Sequence, residues 1–338
     1  MPRTTFTAFY PSRPFWAVSK VNFEVPQVEG WFHDQMVEEV YATSDDACAL
    51  KVCRDGRILI RIPSLERDDA GSAPVPIEDT VKRWGEYLDF LNAFYLLLDS
   101  ATLNVDHFAY FNIHEITHRD AFRVAYEDDK AVSENIATES IASAFQMGRY
   151  SGSYRPDLRI EDDLRIMMRH VISREAIAQA ASLFQQVVAS SVAVKALASF
   201  AKSLAEYKVG NYETSIVLAW FITESAISTL WATHLDAQNQ DLPDGRRRIN
   251  RERRDFLTGR DFTISIVLNM LELSGVLEHE VFEKIDAVRG FRNKIVHGHV
   301  FGPGADDATL ALQTARAMIE RLWNVRFTPN LAYSVIGL

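Results

Sequence analysis

The chain has 338 residues, of which 47% are hydrophobic and 24% are charged, a composition typical of globular proteins rather than disordered or fibrous ones. A chain of this length predicts two domains. The formal net charge of −10 argues against nucleic-acid binding by the whole surface, so a nucleic-acid binder would need a local concentration of positive charge. We recognise no apolar run of membrane-spanning length and no signal sequence, which predicts a cytoplasmic protein without a membrane partner.

Residues 1–160 are predicted to form an α+β domain. Alternating apolar residues at 47–53 and 58–62 predict two strands. The pair Asp55-Gly56 between them is typical of a two-residue hairpin turn. We expect this domain to sense a ligand trigger or a protein partner, a role that no single residue of it indicates.

The remaining elements of this domain are predicted from their periodicity. Apolar residues at helical spacing predict a helix over 77–100. Partial alternation predicts one or two strands over 105–127, and a second helix is predicted over 133–147. Cys48 and Cys53 lie on the first predicted strand, and we expect packed, reduced thiols there rather than a disulfide or a zinc site.

One short motif in this domain is typical of zinc peptidases. The segment from His114 through Glu115 to His118 satisfies the H-E-x-x-H pattern. On a helix the two histidines would share a face and bind zinc, with Glu115 as the general base. The surrounding alternation favours a strand, on which Glu115 would point away from both histidines. A zinc peptidase is therefore the weakest of three functional hypotheses, and we expect neither a metal nor another cofactor.

Residues 161–338 are predicted to form a helical domain. Two of its helices are predicted over 212–234 and 307–323, and a loop is predicted over 241–245. After this loop six arginines crowd a short stretch that contains one acidic residue, Glu252. Such a cluster either binds the backbone of RNA or is a solvated surface. The six residues are Arg246, Arg247, Arg248, Arg251, Arg253 and Arg254.

A basic motif lies near the end of the helical domain. Arg292, Asn293, His297 and Gly298 follow a segment with apolar residues at helical spacing. Gly298 is typical of the position that ends a helix, so His297 is expected in the last turn, where the helix dipole favours an imidazolium. Arg292 is always charged and can bind a phosphate with two donors. A fixed cation beside a proton carrier suits phosphodiester cleavage without a metal.

The R-N-x-x-x-H-G motif that begins at Arg292 resembles the signature of the HEPN superfamily, over roughly residues 195–325. The helix predicted over 212–234 carries Glu224 and is similar to the HEPN helix that bears an acidic residue. The resemblance implies an all-α domain and a two-fold dimer with facing motifs. For many members it also implies a metal-independent endoribonuclease with a toxin or antiviral role.

The preferred hypothesis is therefore a HEPN-type endoribonuclease that binds RNA as a homodimer. His297 would assist attack of a 2′-hydroxyl on the adjacent phosphorus or protonate the leaving oxygen, and Arg292 would stabilise charge on the phosphate. Asn293 would position the phosphate or the partner's side chain, and Glu224 would orient Arg292 or His297. A dimer through the C-terminal domain would supply the second histidine that acid–base catalysis needs. The alternative is a non-catalytic HEPN-like module that binds RNA, a nucleotide or a partner protein.

Overall fold

The chain divides into two compact units. The first contains Met1–Ala201 and Arg326–Leu338, and the second contains Lys202–Val325. The first is built around a β-sheet and the second is largely helical, which confirms the predicted order of an α+β part followed by a helical part. The structure, a computed structural model, describes residues 3–24, 31–66, 76–135, 139–150, 158–298 and 302–332.

The first unit mixes strands and helices along the chain. Six strands form an antiparallel sheet in the order β3-β4-β5-β1-β6-β7, and β2 pairs with β8 in parallel. The elements are β1 (Thr4–Phe9), β2 (Trp16–Ala17), α1 (Trp31–Met36), β3 (Glu39–Ser44), β4 (Ala49–Cys53), β5 (Ile58–Arg61), α2 (Ile77–Val105), β6 (Phe122–Glu127), β7 (Lys130–Asn135), α3 (Ile141–Tyr150), α4 (Leu164–Met167), β8 (Val171–Ile172), α5 (Arg174–Val187) and most of α6 (Ser191–Lys208).

Strand β1 lies inside the sheet between β5 and β6. Because successive side chains of a strand point to opposite faces, Phe6 and Ala8 join a buried cluster on one face, together with side chains of β5 and β6. Phe9 points the other way, and its ring lies 5.8 Å from the ring of Tyr95 on α2. Both faces of the sheet centre are therefore buried, and α2 covers one of them. The helix predicted over 77–100 is confirmed as α2.

The division between the two units lies after Ala201, rather than at the expected boundary of 160/161. Helix α5 belongs to the first unit, where the ring of Phe184 packs 5.6 Å from Phe94 of α2. The chain also returns to this unit near its C-terminus, where the Thr328 amide donates to Ser100 Oγ at 2.7 Å. Helical periodicity identifies a helix but does not show on which core the helix packs.

The hairpin predicted around Asp55-Gly56 is present as β4 and β5, but its loop is longer than two residues. The Cys53 amide donates to the Arg57 carbonyl at 2.8 Å, and the Gly56 amide donates to the Cys53 carbonyl at 2.9 Å. Gly56 has a φ of +87°, in the left-handed region. A three-residue loop with glycine in the third, left-handed position is the next most common hairpin connection after the two-residue turns.

Asp55 is fully buried although it lies in this loop. Its Oδ2 accepts hydrogen bonds from the hydroxyls of Tyr10 at 2.8 Å and Tyr150 at 2.9 Å, and its Oδ1 accepts from the Arg57 amide at 3.0 Å. The buried Arg57 donates through Nε to Tyr10 at 2.8 Å and pairs with Glu134. Burial raises the pKa of both tyrosine hydroxyls well above the usual range, so they remain protonated donors.

Two predictions for the middle of this unit are met over only part of their ranges. Residues 105–127 contain one strand, β6, and the chain before it has no regular structure. There, Asn92 of α2 donates through Nδ2 to the Ile116 carbonyl at 2.9 Å and accepts from the Ile116 amide at 2.8 Å. A helix side chain thus replaces the neighbouring strand as partner of this backbone. The helix expected over 133–147 begins later, because residues 133–135 continue β7 and α3 begins at Ile141.

The second unit is a bundle of helices around α7. Helix α7 packs against α9, α10 and α11, and its extent confirms the helix predicted over 212–234. Within the described ranges, α7 is the one helix long and apolar enough to cross a membrane, contrary to the expectation that no such run exists. A core helix meets the same criterion, and α7 packs as one. The elements are α7 (Tyr212–Ala237), α8 (Arg251–Leu257), α9 (Ile264–Leu273), α10 (His279–Val296) and α11 (Ala305–Trp323).

Candidate functional site

The R-N-x-x-x-H-G motif lies at the C-terminal end of α10, as its sequence predicts. His297 is the C-cap residue, and its amide donates to the Asn293 carbonyl at 3.0 Å. Gly298 follows with a φ of +68°, the left-handed conformation that glycine adopts without strain. The His297 side chain is exposed. The imidazole therefore lies at the negative end of the helix dipole and is accessible to a substrate.

Arg292 lies just over one turn before His297 on the same helix and is half-buried. Its Nη1 donates to Oδ1 of Asn293 at 3.1 Å, whereas its Nε is buried and has no hydrogen-bond partner. In the part of the chain that the structure describes, Arg292 forms no ion pair with a carboxylate. Asn293 thus restrains the guanidinium while other donors remain available for a phosphate.

Glu224 lies on α7, which packs against α10, and its side chain is half-buried. Among the described residues it forms neither a hydrogen bond nor an ion pair with Arg292 or His297 through its side chain. The expected orienting contact is therefore absent from the single chain. Apolar periodicity identified the helix that carries Glu224, but it could not give the rotation of α7 against α10.

The basic cluster spans the loop before α8 and the helix itself, and it carries less free charge than its sequence suggests. Arg248 and Arg253 form no ion pair among the described residues, and Arg253 donates instead to the Arg248 carbonyl at 3.2 Å. The other four arginines are partly neutralised by carboxylates that lie outside the arginine-rich stretch or close to its end. Arg246 pairs with Asp244 at 2.5 Å, Arg247 with Asp241 at 3.9 Å, Arg251 with Asp255 at 4.0 Å, and Arg254 with Asp236.

The H-E-x-x-H segment is neither a strand nor a helix. His114 is half-buried, its Nδ1 has no hydrogen-bond partner, and burial lowers its pKa. His118 is exposed. Zinc binding by this motif requires a helix that places both histidines on one face. No group of three or more metal-ligating side chains is found among the residues described, and the peptidase hypothesis gains no support from the geometry.

The first unit contains a cavity of about 710 Å³ that no sequence motif indicates. Its lining includes Arg13, which follows β1, Tyr110, which follows α2, and Phe145 of α3. Met168 and Arg169, which directly follow α4, also line the cavity. These residues come from distant parts of the chain, so neither spacing nor periodicity could predict that they share a site.

Comparison with known proteins returns no match for this chain. No family model, no curated protein and no solved structure matches it. The HEPN resemblance therefore rests on the motif at the end of α10 and on the order of the helices around it.

Proposed function

We propose that the protein is a metal-independent endoribonuclease of the HEPN type, with a toxin or antiviral role. The observation that carries this proposal is the end of α10, where Arg292 and His297 lie within six residues of each other. The imidazole of His297 is exposed, and the guanidinium of Arg292 is restrained by Asn293 and forms no ion pair in the described ranges. A proton carrier and a fixed cation both serve phosphodiester cleavage without a metal.

In the proposed reaction, His297 removes the proton from a ribose 2′-hydroxyl. The 2′-oxygen then attacks the adjacent phosphorus, and the bond from phosphorus to the 5′-oxygen breaks. The leaving oxygen takes a proton from a second imidazolium, and the product ends in a 2′,3′-cyclic phosphate. Arg292 binds the non-bridging oxygens and stabilises the charge that grows on them, while Asn293 restrains the guanidinium.

The second imidazolium requires a second copy of the chain, because each motif contains one histidine. A two-fold axis beside the end of α10 would bring two copies of His297 to one cleft. Val296, next to this histidine, is 53% exposed, as is Phe221 on α7. Contact with a second copy would bury such apolar side chains. Arg248 and Arg253, which form no ion pair among the described residues, would bind the RNA backbone beside this cleft.

Cleavage of a randomised RNA oligonucleotide pool by the purified full chain tests the proposal. We expect cleavage that persists in EDTA and products that end in a 2′,3′-cyclic phosphate. His297→Ala should lower the rate by about 10²–10⁴-fold, and Arg292→Ala by about 10²–10³-fold. The double variant should be no slower than the worse single one, because groups that act together are non-additive.

Two residues of the same helix provide matched controls. His279, the first residue of α10, is exposed and pairs with Glu272, and Arg289 pairs with Asp286. His279→Ala and Arg289→Ala should retain full activity. A well-folded His297→Ala protein with native activity would contradict the assignment, and activity that EDTA removes and magnesium restores would contradict the mechanism. Light scattering that shows a monomer at about micromolar concentration would contradict the composite site.

Two observations favour the alternative of a non-catalytic HEPN-like module. Among the described residues, the Glu224 side chain forms neither a hydrogen bond nor an ion pair with Arg292 or His297, and four of the six clustered arginines are paired with carboxylates. RNA binding without cleavage by the native chain, with the dimer intact, would support this alternative. The cleavage assay and a binding assay on the same pool therefore separate the two functions.

A further inference from the structure

The cavity in the first unit is lined by both cationic and apolar side chains. Its volume of about 710 Å³ falls within the range of about 300–1,000 Å³ that is usual for sites of small molecules. Three arginines contribute to its lining: Arg13, Arg165 and Arg169. The lining residues that the structure describes all belong to the first unit.

Arg169 is the most deeply buried of the three arginines, with 4% of its surface exposed. Its Nε donates to the Arg165 carbonyl at 3.2 Å, and its Nη2 donates to Gln146 Oε1 at 2.8 Å. Nη1 is buried without a hydrogen-bond partner. Its charge and its hydrogen bond with the Tyr150 hydroxyl lower the pKa of that hydroxyl against the larger effect of burial, but no carboxylate pairs with Arg169 among the described residues. A buried guanidinium without an ion pair is costly, and an anion in the cavity would offset that cost.

Arg13 supplies a second unneutralised charge. Its Nη1 donates to the Tyr110 carbonyl at 3.0 Å, and its guanidinium lies 4.3 Å from the centre of the Tyr110 ring. These contacts orient the side chain without neutralising it, and Arg13 forms no ion pair in the part of the chain described. A guanidinium held in this way keeps donors for a carboxylate or a phosphate.

The acidic residues of the lining are engaged elsewhere. Asp120 accepts from the Thr117 amide at 2.9 Å and from the Thr117 hydroxyl at 2.8 Å. Glu139 pairs with Arg119 at 3.2 Å. Among the arginines of the lining, Arg165 pairs with a carboxylate, that of Asp163 at 3.3 Å. Among the residues that the structure describes, no carboxylate therefore pairs with Arg13 or Arg169 at the cavity.

We infer that this cavity binds a small molecule that has one anionic group, a phosphate or a carboxylate, and an apolar body. Arg13 and Arg169 would bind the anionic group. The apolar body would contact Ile141, Leu164 and Met168, which line the cavity although each is at least 70% exposed to solvent. Burial of these three side chains by a ligand would add to the affinity.

Calorimetric titration of the full chain with three probes tests this inference. The probes are 2-naphthyl phosphate, 2-naphthoate and uncharged 2-naphthol, which share one apolar body. We expect saturable binding of at least one anion at one site per chain, and much weaker binding of 2-naphthol. Preference for the phosphate or for the naphthoate identifies the head group. Equal binding of all three probes, or no binding of either anion, would overturn the inference.

Substitutions at Arg13 locate the site, because this residue is only half-buried and its loss spares the core. Arg13→Gln should weaken binding of the preferred anion by about tenfold or more, and Arg13→Lys should weaken it less, since it keeps the charge and loses the planar donors. Arg3→Gln, in the same unit but outside the lining, is the matched control. Unchanged affinity in a folded Arg13→Gln protein would overturn the inference. The readout is binding and needs no RNA, so it does not depend on whether the chain is a ribonuclease.

Discussion

Replacement of Asp55 by alanine tests the buried network that joins the β4–β5 hairpin to β1 and α3. The change removes the acceptor of three hydrogen bonds, those from the hydroxyls of Tyr10 and Tyr150 and from the Arg57 amide. A hydrogen bond to a charged group contributes about 1.5–3 kcal/mol, and breaking a buried ionic network by removing one member costs about 3–5 kcal/mol. These contributions are not additive, so we expect a loss of about 3–5 kcal/mol for Asp55→Ala and a smaller loss for Asp55→Asn, which keeps one acceptor.

Urea denaturation of the full chain, followed by far-ultraviolet circular dichroism, measures this loss as a lower midpoint at an unchanged slope. Hydrogen exchange of peptides from β4 and β5 shows whether the first unit is the part that opens. Asp46 is exposed in the same region, and Asp46→Asn should change stability by no more than about 0.5 kcal/mol. A loss below about 1 kcal/mol for Asp55→Ala would refute the role assigned to the network.

Two further predictions concern the thiols and the basic cluster. Burial raises the pKa of the Cys48 thiol to about 11 and that of Cys53 well above its usual value, so neither should react with a thiol reagent at about pH 8 in the native chain, whereas both should react in urea; rapid labelling of the native protein would contradict this. Reversal of Arg248 and Arg253 should weaken RNA binding and reduce the salt slope by about 0.7 for each phosphate that no longer has a cationic partner. Reversal of Arg246, which is paired with a carboxylate, should have a smaller effect, and an unchanged slope in the double reversal would mean that the cluster is solvated surface.

Local patterns predicted the long elements of this fold because those elements repeat one periodicity over many residues. Helices α2, α7 and α11 and the hairpin of β4 and β5 are of this kind. The segment around Ile116 alternates like a strand but is not one. The Ile116 amide and carbonyl instead form hydrogen bonds with the side chain of Asn92. A side chain 24 residues away along the chain decided the local structure, and no window of neighbouring residues contains that information.

The two candidate sites differ in how far sequence could reveal them. The motif at the end of α10 is local, so the position of His297 as the cap and the left-handed Gly298 could be predicted from adjacent residues. The sequence overstates the free positive charge of the arginine cluster, because carboxylates such as Asp236 on α7 pair with its arginines. No sequence pattern indicates the cavity lined by Arg13 and Arg169, because its residues lie far apart in the sequence and meet only in the folded unit.

The path of the chain determines which of the two units can fold first during synthesis. The first unit ends at Ala201 and resumes at Arg326, so the second unit is an insertion within it. Two contacts of the returning segment are the packing of Phe327 on Phe200 at 5.1 Å and the bond from the Thr328 amide to a residue of α2. Domains generally fold as units while the chain emerges. The inserted helical unit is contiguous in the sequence and can fold first. The unit that begins at the N-terminus can complete its fold only after the residues that follow Val325 have been synthesised.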